Sequence, residues 1–117
     1  MGKAREIVRK RDGSKMPLEI VPTLPGHVLR HQVLKRLRVT QTTLAGAMGI
    51  SQARISLILS GHAPITANVA IRIGNATATD PAYWLELQTK YDLHHVSRRL
   101  KKTLEGLTPL PEAPKTQ

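Results

Sequence analysis

The sequence predicts an all-α fold of five helices, on three observations. Apolar residues recur at helical spacing from about residue 25 to residue 105. Ser, Thr or Asp stands at the capping position before four of the helical segments, and Gly follows three of them. The 117 residues are 40% apolar but only 3% aromatic, so we expect one modest core of Leu, Ile, Val and Ala.

The first four helices are predicted from their apolar spacing and their caps. The first begins after Pro25 and has Val28, Leu29, Val33, Leu34 and Leu37 at helical spacing. Thr40, Ser51 and Thr66 would cap the next three. The predicted ranges are Gly26–Leu37, Gln41–Met48, Gln52–Ser60 and Ala67–Ala76.

A long C-terminal helix is predicted from Pro81 to about Glu105. Asp80 would cap it, and Pro81 suits the first helical turn because its missing N–H has no partner there. Gly106 would end it, which gives a helical domain over residues 25–105. Residues 106–117 contain three prolines and are predicted to be a disordered tail.

Residues 1–24 are predicted to be a basic N-terminal arm. Met1–Lys15 shows neither helical nor strand periodicity, which indicates a flexible segment. Leu18–Val21 lies between prolines and is expected to form a short edge strand.

The charge of the chain points to a polyanionic partner. Lys and Arg number 18 against 8 Asp and Glu, a net charge of +10. No acidic residue occurs between Ile20 and Thr79, although six Lys and Arg residues lie there. Such a segment attracts a polyanion and speeds its association. The alternative is a basic surface that serves only solubility.

The segment 41–60 has the composition of a helix-turn-helix. Ala45 is small enough for two helices to cross closely, and Gly49 tolerates the positive φ of a sharp turn. In this motif the second helix enters the DNA major groove with its N-terminus first. A plain helical hairpin is the alternative. The apolar residues expected to join the two helices are Leu44, Met48, Ile50, Ile55 and Ile58.

The face of the third helix opposite that seam supplies the candidate DNA contacts. Gln52 has the donor and acceptor to pair with adenine, and Arg54 suits guanine or a phosphate. Ser51 and the free N–H groups of that helix end would hold phosphate oxygens, as would Gln41 at the start of the second helix. Ser51 would otherwise act only as a cap, Gln52 only as a solvated side chain, and Arg72 is expected at the surface. The predicted DNA-binding residues are Gln41, Ser51, Gln52, Ala53, Arg54, Ser56 and Leu57.

The residues of this motif resemble a known family. The run Gln41-Thr-Thr-Leu44-Ala45, then Gly49-Ile50-Ser51, Ile55-Ser56 and Gly61 is similar to the Cro/repressor-type helix-turn-helix. The surrounding segments are similar to the HigA antitoxins, and the likeness runs from Pro25 to Val96. Its most distinctive part is Asp80-Pro81-Ala82-Tyr83-Trp84-Leu85-Glu86-Leu87-Gln88 followed by Tyr91-Asp92-Leu93.

The resemblance implies an antitoxin of a type II toxin-antitoxin module. Such a protein pairs with a HigB-like mRNA-cleaving toxin and represses its own operon by binding a palindromic operator as a homodimer. In this family the residues matching Ser51, Ser56 and Leu57 lie at or near the DNA. Leu57 departs from the basic residue common at its position, although it suits a thymine methyl group. A stand-alone transcription repressor without a toxin is the alternative.

An aromatic cluster in the fifth helix is predicted to complete the core and the dimer contact. It consists of Tyr83, Trp84, Leu87 and Tyr91. The alternative is a surface that grips the toxin, because aromatic anchors are enriched at interfaces.

Other classes of function find little support in the sequence. His27 and His31 lie one turn apart, but no Cys or nearby acidic residue completes a metal site. No catalytic motif is present, so we expect neither an enzyme nor a cofactor. An RNA-binding module would also suit the charge, but such modules usually stack bases on aromatic side chains of a sheet, and the three aromatic residues of this chain all lie between Tyr83 and Tyr91 on a predicted helix. The longest near-apolar stretch, Leu44–Ile50, is too short to span a membrane, and a cytoplasmic location is expected.

Overall fold

The computed structural model describes residues 5–8 and 19–112 of the chain. In this part of the chain five helical elements follow an antiparallel pair of short strands. The all-α prediction is therefore confirmed. The elements are β1 Arg5–Val8, β2 Glu19–Pro22, α1 Pro25–Leu29 with a π-helical continuation Arg30–Lys35, α2 Gln41–Met48, α3 Gln52–Ser60, α4 Ala67–Thr77 and α5 Pro81–Glu105.

The strand pair corrects the prediction for the N-terminal arm. Arg5–Val8 was expected to be flexible but pairs with β2, with Arg5 opposite Pro22 and Val8 opposite Glu19. The pairing joins segments that are distant in sequence, so the local periodicity of four residues does not reveal it. β2 begins one residue after the predicted start at Leu18. The remainder of Met1–Lys15 lies outside the described residues, as do residues 113–117 of the predicted tail.

The first helix departs from the regular helix that was predicted. Its Arg30–Lys35 portion has π-helical hydrogen bonding, which encloses more residues per turn than an α-helix. Val33 and Leu34 are buried, but Leu37, which follows the π-helical portion, is 55% exposed. Its helical spacing therefore does not place Leu37 in the core. The helix ends at Arg38, which has a positive φ of 56°.

The core lies where the first helix, α2, α3, α4 and the start of α5 meet. Gly26 allows the first helix to approach α3 closely, because a Cβ at this position would lie 2.4 Å from the carbonyl oxygens of both Ile58 and Leu59. All polar and charged side chains of residues 21–112 remain at least partly exposed. The buried apolar residues are Val28, Leu29, Val33, Leu34, Leu44, Ala45, Met48, Ile55, Ile58, Leu59, Ile65, Val69, Ala70, Ile73 and Trp84.

The aromatic cluster of α5 divides between the core and the surface. Trp84 is 1% exposed, and its indole Nε1–H donates to Thr79 Oγ1 at 2.8 Å. Leu87 and Tyr91 are half-buried. Tyr83 is 37% exposed, packs edge-on against Trp84, and its hydroxyl accepts from Gln32 Nε2 at 2.9 Å. The core role of the cluster therefore rests on Trp84, with the half-buried Leu87 packed against the core beside it.

The far half of α5 carries an exposed apolar stripe. Its members are between 37% and 65% exposed. They recur at intervals of three and four residues, so they lie along one face of the helix. We call this set the α5 stripe: Leu93, Val96, Leu100 and Leu104.

We expect Trp84→Ala to lower the free energy of unfolding by about 3–5 kcal/mol, because it leaves a cavity at a fully enclosed site. Tyr83→Ala is the matched control, with an expected loss of at most about 1.5 kcal/mol, the upper end for an aromatic pair. Urea unfolding followed by circular dichroism, at one protein concentration, measures both. Equal losses in the two variants would contradict the core role of Trp84.

Candidate nucleic-acid interface

Hydrogen bonds fix the start of α2 and the turn between α2 and α3. Thr40 caps α2 by accepting from the Thr43 N–H at 3.1 Å. Gly49 ends α2 in the left-handed conformation, with φ 72° and ψ 32°. The next residue, Ile50, donates its N–H to Ala45 O at 3.0 Å, so the chain wraps back over the end of α2. The predicted role of Gly49 in the turn is confirmed.

The apolar seam between the two helices is also confirmed. Ile50 in the turn is half-buried and packs against the core. The contributing side chains of both helices are at most 3% exposed. One face of α3 is thus fully enclosed, and the residues of its opposite face are exposed to solvent. The buried residues of the seam are Leu44, Ala45 and Met48 of α2 with Ile55, Ile58 and Leu59 of α3.

Six of the seven predicted contact residues lie on the exposed side of α3 or at its start. They are Ser51, Gln52, Ala53, Arg54, Ser56 and Leu57, and the last is 47% exposed. The seventh, Gln41, is half-buried at the first position of α2. The structure thus gathers six of these side chains on one surface, while their contact with DNA stays a prediction.

Ser51 acts as the cap of α3. Its Oγ accepts from the Arg54 N–H at 3.0 Å, which satisfies one of the first-turn donors. The start of an α-helix carries up to four N–H groups that its own carbonyls do not reach, together with the positive end of the helix dipole. The beginnings of α2 and α3 therefore present two anion-attracting helix ends in a segment without acidic residues.

Arg72 is a residue whose role the sequence did not reveal. It was expected at the surface but is half-buried on α4. Its Nη1 donates to the carbonyl oxygens of Met48 at 2.8 Å and Gly49 at 3.3 Å. The only signal in the sequence is an arginine two positions after buried Ala70 and directly before buried Ile73, within the segment that lacks acidic residues.

Gln88 explains part of the distinctive α5 segment. Its Oε1 accepts from the Ile65 N–H at 2.8 Å, in the loop between α3 and α4. Its Nε2 donates to Asp92 Oδ1 at 3.0 Å, which fixes the orientation of the amide. Gln88 and Asp92 therefore hold the segment that follows α3 against α5.

Two other properties concern only the described part of the chain. Within residues 5–8 and 19–112 no group of three or more His, Cys, Asp or Glu side chains is placed to hold a metal ion. In the same residues, every helix is too short or too polar to cross a membrane.

Known proteins are similar to this chain in both sequence and fold. A helix-turn-helix family model matches residues 31–84. Virulence-associated protein I of Dichelobacter nodosus is 34% identical over 86 residues, which cover 74% of this chain and 79% of that protein. Antitoxin HigA-1 of Vibrio cholerae is 30% identical over 89 residues, covering 76% and 84%. The solved structure of Pseudomonas aeruginosa antitoxin HigA with higBA promoter has a TM-score of 0.70 at 28% identity, covering 74% of this chain and 96% of that one.

The chain belongs to the HigA antitoxin family. The resemblance stated from the residues is thereby confirmed, and so is the Cro/repressor-type helix-turn-helix fold. The HigA family is one of helix-turn-helix antitoxins and transcriptional regulators rather than of enzymes.

We expect Ser51→Ala to lower the free energy of unfolding by about 1 kcal/mol, because it removes the cap of α3. Thr66→Ala, which removes the equivalent bond to the Val69 N–H at the start of α4, should cost about the same. Ser56→Ala is the control on the exposed face of α3 and should stay within about 0.5 kcal/mol of the parent. Thermal or urea unfolding measures all three. A cost for Ser56→Ala as large as that for Ser51→Ala would count against the cap.

Proposed function

We propose that this chain is the antitoxin of a type II toxin-antitoxin module, which represses its own operon by binding a palindromic operator as a homodimer and neutralises a HigB-like mRNA-cleaving toxin. The observation that carries the proposal is the helix-turn-helix whose second helix, α3, buries one face and exposes the other. The membership of the chain in the HigA family supports DNA binding as the function of that motif.

In this proposal the N-terminal end of α3 lies in the major groove. Gln52 and Arg54 face the base edges, where an amide pairs with adenine and a guanidinium with guanine. Ser51 and Gln41, at the beginnings of the two helices, hold phosphates through neighbouring N–H groups. Leu57 contacts a thymine methyl group. Ala53 and Ser56 complete the exposed face of α3. A relative solved with its promoter DNA supports DNA as the partner of this fold.

The basic end of the first helix adds a phosphate contact to those at the beginnings of α2 and α3. Lys35, Arg36 and Arg38 are exposed just before Thr40, the cap of α2. Arg38 adopts a left-handed conformation at φ 56°, which costs a residue with a Cβ about 1–2 kcal/mol. Glycine would avoid that cost, so the arginine at this position is best explained by its side chain. A phosphate beside the start of α2 would use its charge.

The α5 stripe, rather than the aromatic cluster, is the surface that we assign to the dimer. A second copy of the chain is the occupant that we propose, because the stripe leaves four apolar side chains in solvent and a palindromic operator requires two copies of the chain.

Dimerisation is also a geometric requirement of operator binding. A helix-turn-helix protein reads a palindrome with two recognition helices about 34 Å apart, one duplex turn. At 25 residues, α5 is about 37 Å long. It is therefore long enough to carry both the core contact at Trp84 and a separate contact between copies.

Toxin neutralisation is the part of the proposal that rests on family membership alone. Affinity purification of the chain from its native host, at endogenous expression, tests it. Recovery of a small protein encoded beside the chain, which cleaves mRNA once released, supports the antitoxin. Recovery of the chain alone favours the alternative, a stand-alone helix-turn-helix repressor.

Fluorescence anisotropy tests DNA recognition directly. One duplex carries the DNA upstream of the chain's own coding sequence, and the second carries the same bases scrambled. Affinity about a thousandfold higher for the first is expected of an operator-binding protein. A salt series reports the number of phosphates held. Equal and salt-sensitive affinity for both duplexes would show that the chain binds DNA through its positive charge alone, without recognising a sequence.

We expect Arg54→Ala to weaken binding to the upstream duplex by about 1–3 kcal/mol, because one contact to a base or phosphate is lost. Lys90→Ala removes the same charge from an exposed position of α5 that precedes the α5 stripe, and it should change the affinity much less. The anisotropy assay measures both. Unchanged affinity in Arg54→Ala would remove Arg54 from the interface.

We expect Leu100→Asp to convert the dimer to a monomer, because it places a charge in the middle of the α5 stripe. Leu110→Asp is the matched control, since Leu110 is 90% exposed beyond the helix. Analytical ultracentrifugation across a concentration series gives the mass of each. A Leu100→Asp variant that stays dimeric would locate the dimer contact elsewhere.

A further inference from the structure

Arg72 joins α4 to the turn of the helix-turn-helix. Its Nη1 donates to Met48 O at 2.8 Å and to Gly49 O at 3.3 Å. Its Nε donates to Asn68 Oδ1 at 2.7 Å, one turn earlier on α4. The guanidinium thus bridges a side chain of its own helix and two backbone carbonyls that lie 23 and 24 positions away in the sequence.

The two carbonyls that Arg72 holds are ones that the turn itself does not use. The backbone bonds at the end of α2 run from the Gly49 and Ile50 N–H groups to the carbonyls of Ala45 and Gly46. The Met48 and Gly49 carbonyls come later, at the C-terminal end of α2, where the helix dipole is negative. A guanidinium satisfies them with charge-assisted hydrogen bonds, which are stronger than neutral ones.

These carbonyls belong to the peptide planes that lead into the recognition helix. The Gly49 carbonyl is bonded to Ile50, and Ile50 precedes Ser51, the cap of α3. Holding both peptide planes fixes the direction in which α3 leaves the turn. Gly49 is also closely packed against Arg72, because a Cβ there would lie 3.1 Å from Nη1.

We propose that Arg72 is a positioning residue for DNA recognition, which holds the turn between α2 and α3 so that Ser51 and the start of α3 meet the duplex in one orientation. The inference rests on the proposed operator binding. It assigns to α4 a part in recognition through α2, with no contact between Arg72 and the DNA.

Arg72→Lys is the variant that tests the proposal. Lysine keeps the positive charge but lacks the planar fork that bonds Asn68 and the two carbonyls together. Asn68→Ala is a second variant, which leaves Arg72 in place but removes the group that orients it. Asn75→Ala, at an exposed position of the same helix, is the matched control.

Amide hydrogen exchange of the free protein measures the turn without DNA. We call the hydrogen bonds of Arg72 to Asn68, Met48 and Gly49 the clamp. In Arg72→Lys the Ile50 amide should exchange about tenfold faster, because the turn opens more often when the clamp is weakened. The His62 amide is the internal control, since it donates to Leu57 O behind Gly61, in a second left-handed glycine turn that Arg72 does not touch. Unchanged exchange at Ile50 would overturn the clamp.

Binding to the upstream and scrambled duplexes measures the effect on recognition. Arg72→Lys should lose about tenfold in affinity for the upstream duplex, the size expected when one charge-assisted hydrogen bond that orders the site is lost. Affinity for the scrambled duplex and the salt slope should stay unchanged, because the charge and the phosphate contacts remain. Asn68→Ala should lose less, and Asn75→Ala nothing.

Three results would overturn the positioning role, and one would concern the proposed function instead. An equal loss on both duplexes, or upstream affinity unchanged in Arg72→Lys, contradicts positioning. A fall of about 0.9 in the salt slope of Arg72→Met relative to the parent indicates a direct phosphate contact and also contradicts it. A parent protein that does not distinguish the duplexes overturns operator binding and with it the recognition role, while the exchange at Ile50 still decides whether the clamp exists.

Discussion

The complete burial of one face of α3 is the constraint on which the rest of the molecule depends. Ile55, Ile58 and Leu59 are at most 1% exposed, which fixes the rotation of a helix of nine residues. The first helix comes close enough to make this burial possible, since Gly26 lies directly against the backbone at the end of α3. The other face of α3 is exposed as a consequence.

Electrostatics complements this packing without entering the core. The described side chains place every charge at least partly in solvent, so no buried ion pair has to be stabilised. The segment from residue 20 to 79 has cations but no anions, and two helix beginnings at Thr40 and Ser51 add their partial positive charges. Packing therefore orients the proposed interface, and charge gives it a preference for a polyanion.

The long helix α5 serves as the frame of the domain. Trp84 closes the core, and Gln88 holds the backbone at Ile65. Those contacts lie in the first part of α5, and the exposed stripe lies in the last part. One helix thus provides both the internal support of the motif and the surface that we propose for self-association.

The sequence by itself determined the elements and the chemistry of the motif. The caps Thr40 and Ser51 and the glycine Gly49 act through neighbours in the chain, so the limits of α2 and α3 were predicted correctly. The exposed candidates on α3 followed from the same periodicity. These are local properties, and a pattern of residues is enough to specify them.

Tertiary structure decided the features that depend on a distant partner. The pairing of Arg5–Val8 with β2 and the contact of Arg72 with the end of α2 involve groups that no local pattern brings together. The exposure of Leu37 likewise depends on which neighbours cover the end of the first helix. The division of the aromatic cluster is of the same kind, because neighbouring helices decide which side chains they cover. Periodicity tells which residues share a face of a helix, but only the packed molecule determines what that face meets.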